Sequence, residues 1–156
     1  MKVDEHLGIA RPARPPAVAG TFYPARAEAL AAMLDELMAR AAATFAMPAG
    51  LDPGRLAGIL VPHAGLTYSG LVAAAAWRLV APGVAPYASR DAARDAARDA
   101  TPDATPATIV LLGTNHGAAW LDGVGAWDGG PWWTPLGEIP VDRDLTGALL
   151  ELGSPF

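Results

Sequence analysis

Alanine is the commonest residue of this chain, at 35 of its 156, and glycine and proline add 17 and 15. An alanine buries little area beside a leucine or a phenylalanine, so a hydrophobic fraction of 52% still leaves few bulky groups for a core. The length suits one domain and falls short of a two-domain enzyme. With only 17% charged residues, the chain is too apolar to be mainly disordered. The formal net charge of -5 and the lack of any Lys/Arg cluster argue against nucleic acid or an anionic membrane as the main partner. No cysteine is present, which removes disulfides, thiolate ligands and cysteine nucleophiles from this chain. The N-terminus carries Lys2, Asp4, Glu5, Arg11 and Arg14 and lacks an apolar signal core. The most apolar stretch, Leu71 to Val80, is short and holds Arg78, so no membrane span is expected. A soluble cytoplasmic protein is the default expectation.

Residues 1–16, with Pro12, Pro15 and Pro16, read as an extended arm. After Tyr23-Pro24, the spacing of Leu30, Met33, Leu34, Leu37 and Met38 predicts a helix over about 25–43 with a core-facing seam. Ala57 to Val61 is an apolar run stopped by Pro62, the pattern of a buried strand that places His63 just past its end. Ser69 to Val80 follows as a helix whose alanines permit close packing, with Ser69 as its cap. A second apolar run, Ala107 to Leu112, leads into Gly113, Thr114, Asn115 and His116. Strand, helix and strand in that order suggest an α/β fold with a largely parallel sheet and a right-handed crossover. Both strand ends would then open on the edge where ligands usually bind.

The segment 86–106 contains the repeat Asp91-Ala92-Ala93-Arg94-Asp95-Ala96-Ala97-Arg98-Asp99-Ala100 and reads as a short exposed helix or a solvated insertion. Gly123 to Trp127 reads as a short strand, and Trp132 to Gly137 as a turn-rich segment. Asp142 is a good N-cap for a last helix bearing Leu145, Leu149 and Leu150, with Gly153 as its stop. A sheet of two or three strands would keep unfinished edges, so the chain reads as interrupted.

The chemistry centres on His63 and His116, which stand in glycine-flanked loops. An imidazole there serves as a neutral metal ligand or as a base near pH 7, and glycine lets a ligand approach the backbone. Their wide separation is no local metal signature, so ordinary structural or surface histidines remain the competing reading. Two histidines are too few for a complete structural zinc site. Gly-Thr-Asn-His lacks the Lys-Ser/Thr of a phosphate loop, and Ser69 lacks a nucleophile elbow. Tyr68 can orient a ligand, although packing of its ring is the simpler reading. Turn formation and capping account for Asp122, Asp128 and Asp142 more simply than a supporting role around a metal. Packing likewise comes first for Trp127, Trp132 and Trp133, ahead of walling a pocket.

Four segments carry a resemblance. They are Arg14-Pro15-Pro16-Ala17-Val18-Ala19-Gly20-Thr21-Phe22-Tyr23-Pro24, Val61-Pro62-His63-Ala64-Gly65-Leu66-Thr67-Tyr68-Ser69-Gly70, Leu112-Gly113-Thr114-Asn115-His116 and Trp133-Thr134-Pro135-Leu136-Gly137. In this order they resemble the MEMO family, whose bacterial and archaeal members are called AmmeMemoRadiSam system protein B. The resemblance implies an α/β fold similar to the class III extradiol, nonhaem iron dioxygenases. It places His63 and His116 among the pocket histidines, as ligands of a divalent metal with iron first, and Tyr68 and Asn115 along the pocket. It also implies association with AMMECR1-type or radical SAM proteins. Family members are longer, and their second half brings a further pocket histidine and a cysteine, so this chain resembles an N-terminal half. Three readings follow from the resemblance: a metal-dependent redox protein, a nonenzymatic peptide- or protein-binding module, and an inactive truncated fragment.

Overall fold

The computed structural model describes residues 11–52, 55–80 and 108–153. The chain separates into two compact units, one of residues 17–107 and one of residues 1–16 with 108–156.

In the first unit, α1 spans Ala27–Thr44 and α2 spans Leu66–Val80. Alanine is the best helix former, and α1 is built largely from alanine, leucine and methionine. Leu30, Ala31, Leu37 and Ala41 recur at helical spacing and are the buried positions of α1. From α2, Ser69, Gly70 and Ala74 turn inward. Leu37, Ala41 and Ala74 form the buried centre, and Met33, Met38, Leu66, Leu71 and Ala75 pack around it. Glycine makes room where the helices cross: a Cβ at Gly70 would lie 2.6 Å from Leu37 Cδ1, so the leucine side chain would have to shift. The small residues thus compensate for their low burial area by letting Leu37 reach the backbone of the opposite helix.

The end of α1 has no basic residue in its last turn. Arg78 of α2 supplies one, donating to the carbonyls of Ala41 at 2.8 Å and Phe45 at 3.2 Å. A cation at this end meets carbonyl oxygens at the close of the helix and the negative end of the helix dipole.

The start of α2 lies three residues before the expected Ser69. Gly65 precedes the first turn, and the Leu66 N–H finds an acceptor in the Phe22 carbonyl at 2.9 Å. Phe22 belongs to a tight loop in which the Val18 carbonyl accepts from the Thr21 and Phe22 N–H groups. A Cβ at Gly65 would stand 3.2 Å from the Phe22 oxygen, so a larger residue there would push loop and helix apart by a few tenths of an ångström. Ser69 is therefore not the cap; its hydroxyl donates to the Ala64 carbonyl at 2.8 Å.

In the second unit, β1 (Trp132–Thr134) and β2 (Gly137–Ile139) pair antiparallel, with Trp132 opposite Ile139 and Thr134 opposite Gly137. The turn-rich reading of this segment resolves into a hairpin. Thr134 Oγ1 closes it by donating to the Gly137 carbonyl and accepting from the Leu136 N–H. Gly137 has φ of +126°, which favours glycine.

Of the expected arm, the described residues 12–14 run beside β1. Arg14 N–H donates to the Pro131 carbonyl at 2.8 Å, Trp133 N–H to the Arg14 carbonyl at 2.9 Å, and Gly130 N–H to the Pro12 carbonyl at 3.0 Å. The Arg14 guanidinium stacks 4.1 Å above the Trp132 ring, and Arg11 pairs with Asp128. Proline removes donors from the arm, yet the acceptors of Pro12 and Pro131 are both used.

The helix α3 covers Arg143–Glu151 with Asp142 as its N-cap, as the sequence predicts. Asp142 Oδ1 accepts from the Leu145 N–H at 3.0 Å, and Oδ2 accepts from the Thr108 hydroxyl at 2.6 Å. Gly153, at φ of +76°, follows the helix in the left-handed conformation expected of its stop.

The runs 57–61 and 108–112 do not form strands, and neither does Gly123–Trp127. Apolar β-branched sequence makes a run competent to pair, but a ladder needs a neighbouring strand. Without one, Leu60 is 97% exposed and Leu112 85% exposed. The only strand pairing among the described residues that builds a named sheet is β1 with β2. Ala107 and the insertion 86–106 lie outside the described residues.

Candidate functional site

His63 stands three residues before α2 and is exposed. The peptide beside it is held from the helix, where the buried Ser69 bonds the Ala64 carbonyl. Tyr68, in the first turn of α2, is 89% exposed. The expected packing of its ring is thus overturned, because at this point of the helix α1 covers the face bearing Ser69 and Gly70 instead.

His116 belongs to the other unit and is also exposed. It occupies a turn closed by the side chain just before it. Asn115 Oδ1 accepts from the Ala118 N–H at 2.8 Å, and Asn115 Nδ2 donates to the Ala118 carbonyl at 2.8 Å. The amide of Asn115 therefore bonds its own loop at both ends, three residues on.

The carboxylates have structural duties. Asp128 pairs with Arg11 and Asp142 caps α3. The carboxyl of Asp142 is held below its ordinary value, first by the Thr108 hydroxyl and then by the Leu145 N–H. Among the tryptophans, Trp127 Nε1 donates to the Gly130 carbonyl at 2.9 Å, and Trp132 lies under Arg14. Trp133 is 56% exposed, and its Nε1 donates to Glu138 at 3.2 Å.

Imidazole nitrogens suit a divalent transition metal, so the donors His63 and His116 fit the chemistry of such an ion. The donor number does not fit. Among the described residues, no group of three or more His, Cys, Asp or Glu side chains comes together to hold a metal ion. Catalytic metal centres ordinarily take three protein ligands, so no reaction step through a metal is assigned to these residues. Sequence reasoning missed the two residues that brace the histidine loops, Ser69 and Asn115, in those roles. Their signal was present, since serine and asparagine are the residues that bond nearby backbone.

The model for Memo-like proteins matches residues 14–154. The chain belongs to this family. A MEMO1 family protein of Methanopyrus kandleri is 33% identical over 141 residues, covering 88% of this chain and 41% of that relative. A MEMO1 family protein of Aeropyrum pernix is 34% identical over 149 residues, covering 88% and 42%. One from Pyrobaculum arsenaticum is 35% identical over 141 residues, covering 88% and 41%. The chain thus spans less than half the length of these MEMO1 family relatives. No solved structure matches the chain significantly. No helix among the described residues is long and apolar enough to cross a membrane.

Proposed function

We propose that His63 and His116 are metal-binding imidazoles of a MEMO-type histidine pocket, in an α/β fold of the extradiol dioxygenase kind, and that this segment carries part of the donor set. The observation that supports it is the placement of both histidines in exposed, glycine-flanked loops within the segment that matches the family. A neutral imidazole offers a ring-nitrogen lone pair to a divalent ion. Iron is the first candidate, with a redox role for the assembled protein. The remaining donors would come from outside the matched segment, in keeping with its share of the relatives' length. AMMECR1-type and radical SAM proteins are the partners this reading names.

A second reading, recognition of a peptide or protein without metal, draws support from the exposed rings of Tyr68 at 89% and Trp120 at 83%. Anaerobic calorimetric titration with iron(II) separates the two. On the metal reading, His63→Ala and His116→Ala each weaken iron(II) binding by about tenfold or more, at least the effect of losing an outer partner of a ligand. Unchanged affinity in both variants contradicts it. Capture of a partner that persists with chelator present favours the second reading.

A further inference from the structure

We infer that Asn115 is a positioning residue that fixes the loop presenting His116. The inference rests on the histidine-pocket reading, because it takes His116 as the residue to be presented. Both functional ends of the Asn115 amide converge on one residue, with Oδ1 on the Ala118 N–H and Nδ2 on the Ala118 carbonyl, each at 2.8 Å. A primary amide has one carbonyl oxygen and one NH2 group, so this pair of bonds engages both ends of the side chain at once.

The segment enclosed by these bonds consists of His116 and Gly117. Rotating the intervening peptides would break both bonds together, so the direction in which the His116 backbone departs is set by its neighbour. The anchor is itself tied down: the Ala118 carbonyl also accepts from the Leu121 N–H at 2.9 Å, which joins the His116 turn to the next one. Gly117 adds no side chain, and a Cβ there would meet nothing within 4 Å, so packing at this position does not hold the loop. Removing the exposed Asn115 side chain should therefore change the presentation of the histidine without disturbing a core.

Asn115→Ala removes both bonds. Asn115→Asp keeps the acceptor for the Ala118 N–H and loses the donor. The native chain and these variants, with His116→Ala as reference, are titrated with cobalt(II), and amide exchange at Ala118 and the thermal midpoint are recorded alongside. The expected result is that Asn115→Ala weakens cobalt(II) binding by about tenfold, the lower range for outer partners of metal ligands, with faster exchange at Ala118 and an unmoved thermal midpoint. Asn115→Asp recovers part of the affinity. Native affinity in Asn115→Ala while His116→Ala has lost affinity overturns the inference and leaves the pocket reading standing. A thermal midpoint that falls in Asn115→Ala, with no recovery in Asn115→Asp, assigns the residue a merely structural role and also overturns it. Native affinity in His116→Ala overturns the pocket reading, and this inference with it.

Discussion

Replacing Arg78 with Met tests how α1 is terminated. Methionine keeps an unbranched stem against the helices and deletes the guanidinium, so packing is largely preserved while the bonds to the Ala41 and Phe45 carbonyls at 2.8 and 3.2 Å are lost. A hydrogen bond to a charged group contributes about 1.5–3 kcal/mol, and a cation at a helix C-terminus adds about 0.3–1 kcal/mol within the same interaction. The Ala41 carbonyl retains one partner, the Phe45 N–H at 3.0 Å, so it is not orphaned by the change. The lower part of the range applies, about 1.5 kcal/mol. With a slope of roughly 2 kcal/mol per molar urea, the unfolding midpoint read by circular dichroism at the helix band should fall by about 0.7 M. Arg78→Lys, which keeps the charge and loses the planar fork, should fall between the native chain and the methionine variant. Midpoints of both variants indistinguishable from the native value would refute the capping role of Arg78.

Gly130→Ala should destabilise the second unit. The added Cβ would sit 2.5 Å from the Arg11 carbonyl and 2.7 Å from that of Pro12, both backbone atoms, so the arm must shift and the Gly130–Pro12 bond at 3.0 Å is lost. Overpacking of this kind costs about 1–3 kcal/mol, readable as a lowered urea midpoint in tryptophan fluorescence, and an unchanged midpoint would show that the arm is not seated there. The cap of α3 gives a pH dependence of known sign. Because the folded-state value of Asp142 is lowered from 3.8, its stabilisation is present above that value and is lost as the pH falls through the lower folded value. Asp142→Asn keeps the capping oxygen and should remove this acid-range dependence from a pH series of circular dichroism spectra, whereas an identical acid profile would exclude Asp142 as its source.

The helices were legible because their signals are local. The Leu/Met spacing from Leu30 to Met38 identified α1, and Asp142 with Gly153 bracketed α3. The start of α2 was not legible, because it depends on the Phe22 carbonyl meeting the Leu66 N–H across 44 positions of chain. Nor were the runs 57–61 and 108–112, whose apolar sequence states a capacity to pair and says nothing about whether a neighbouring strand is present. Of the site, the loops bearing His63 and His116 were legible from their glycines and from the family motifs. The task of Asn115 was not, since a polar residue beside a histidine reads equally well as a ligand contact or as a clamp, and the clamp shows only in its two bonds to Ala118.

The central claim is that His63 and His116 differ from an ordinary surface histidine in their affinity for metal. The most direct measurement is the broadening of histidine ring resonances by paramagnetic cobalt(II) in the native chain, with a short peptide containing one histidine as the reference. The account predicts that the rings of His63 and His116 broaden at cobalt(II) concentrations well below that needed for the peptide. Broadening of both rings only at the concentration the peptide needs would contradict it.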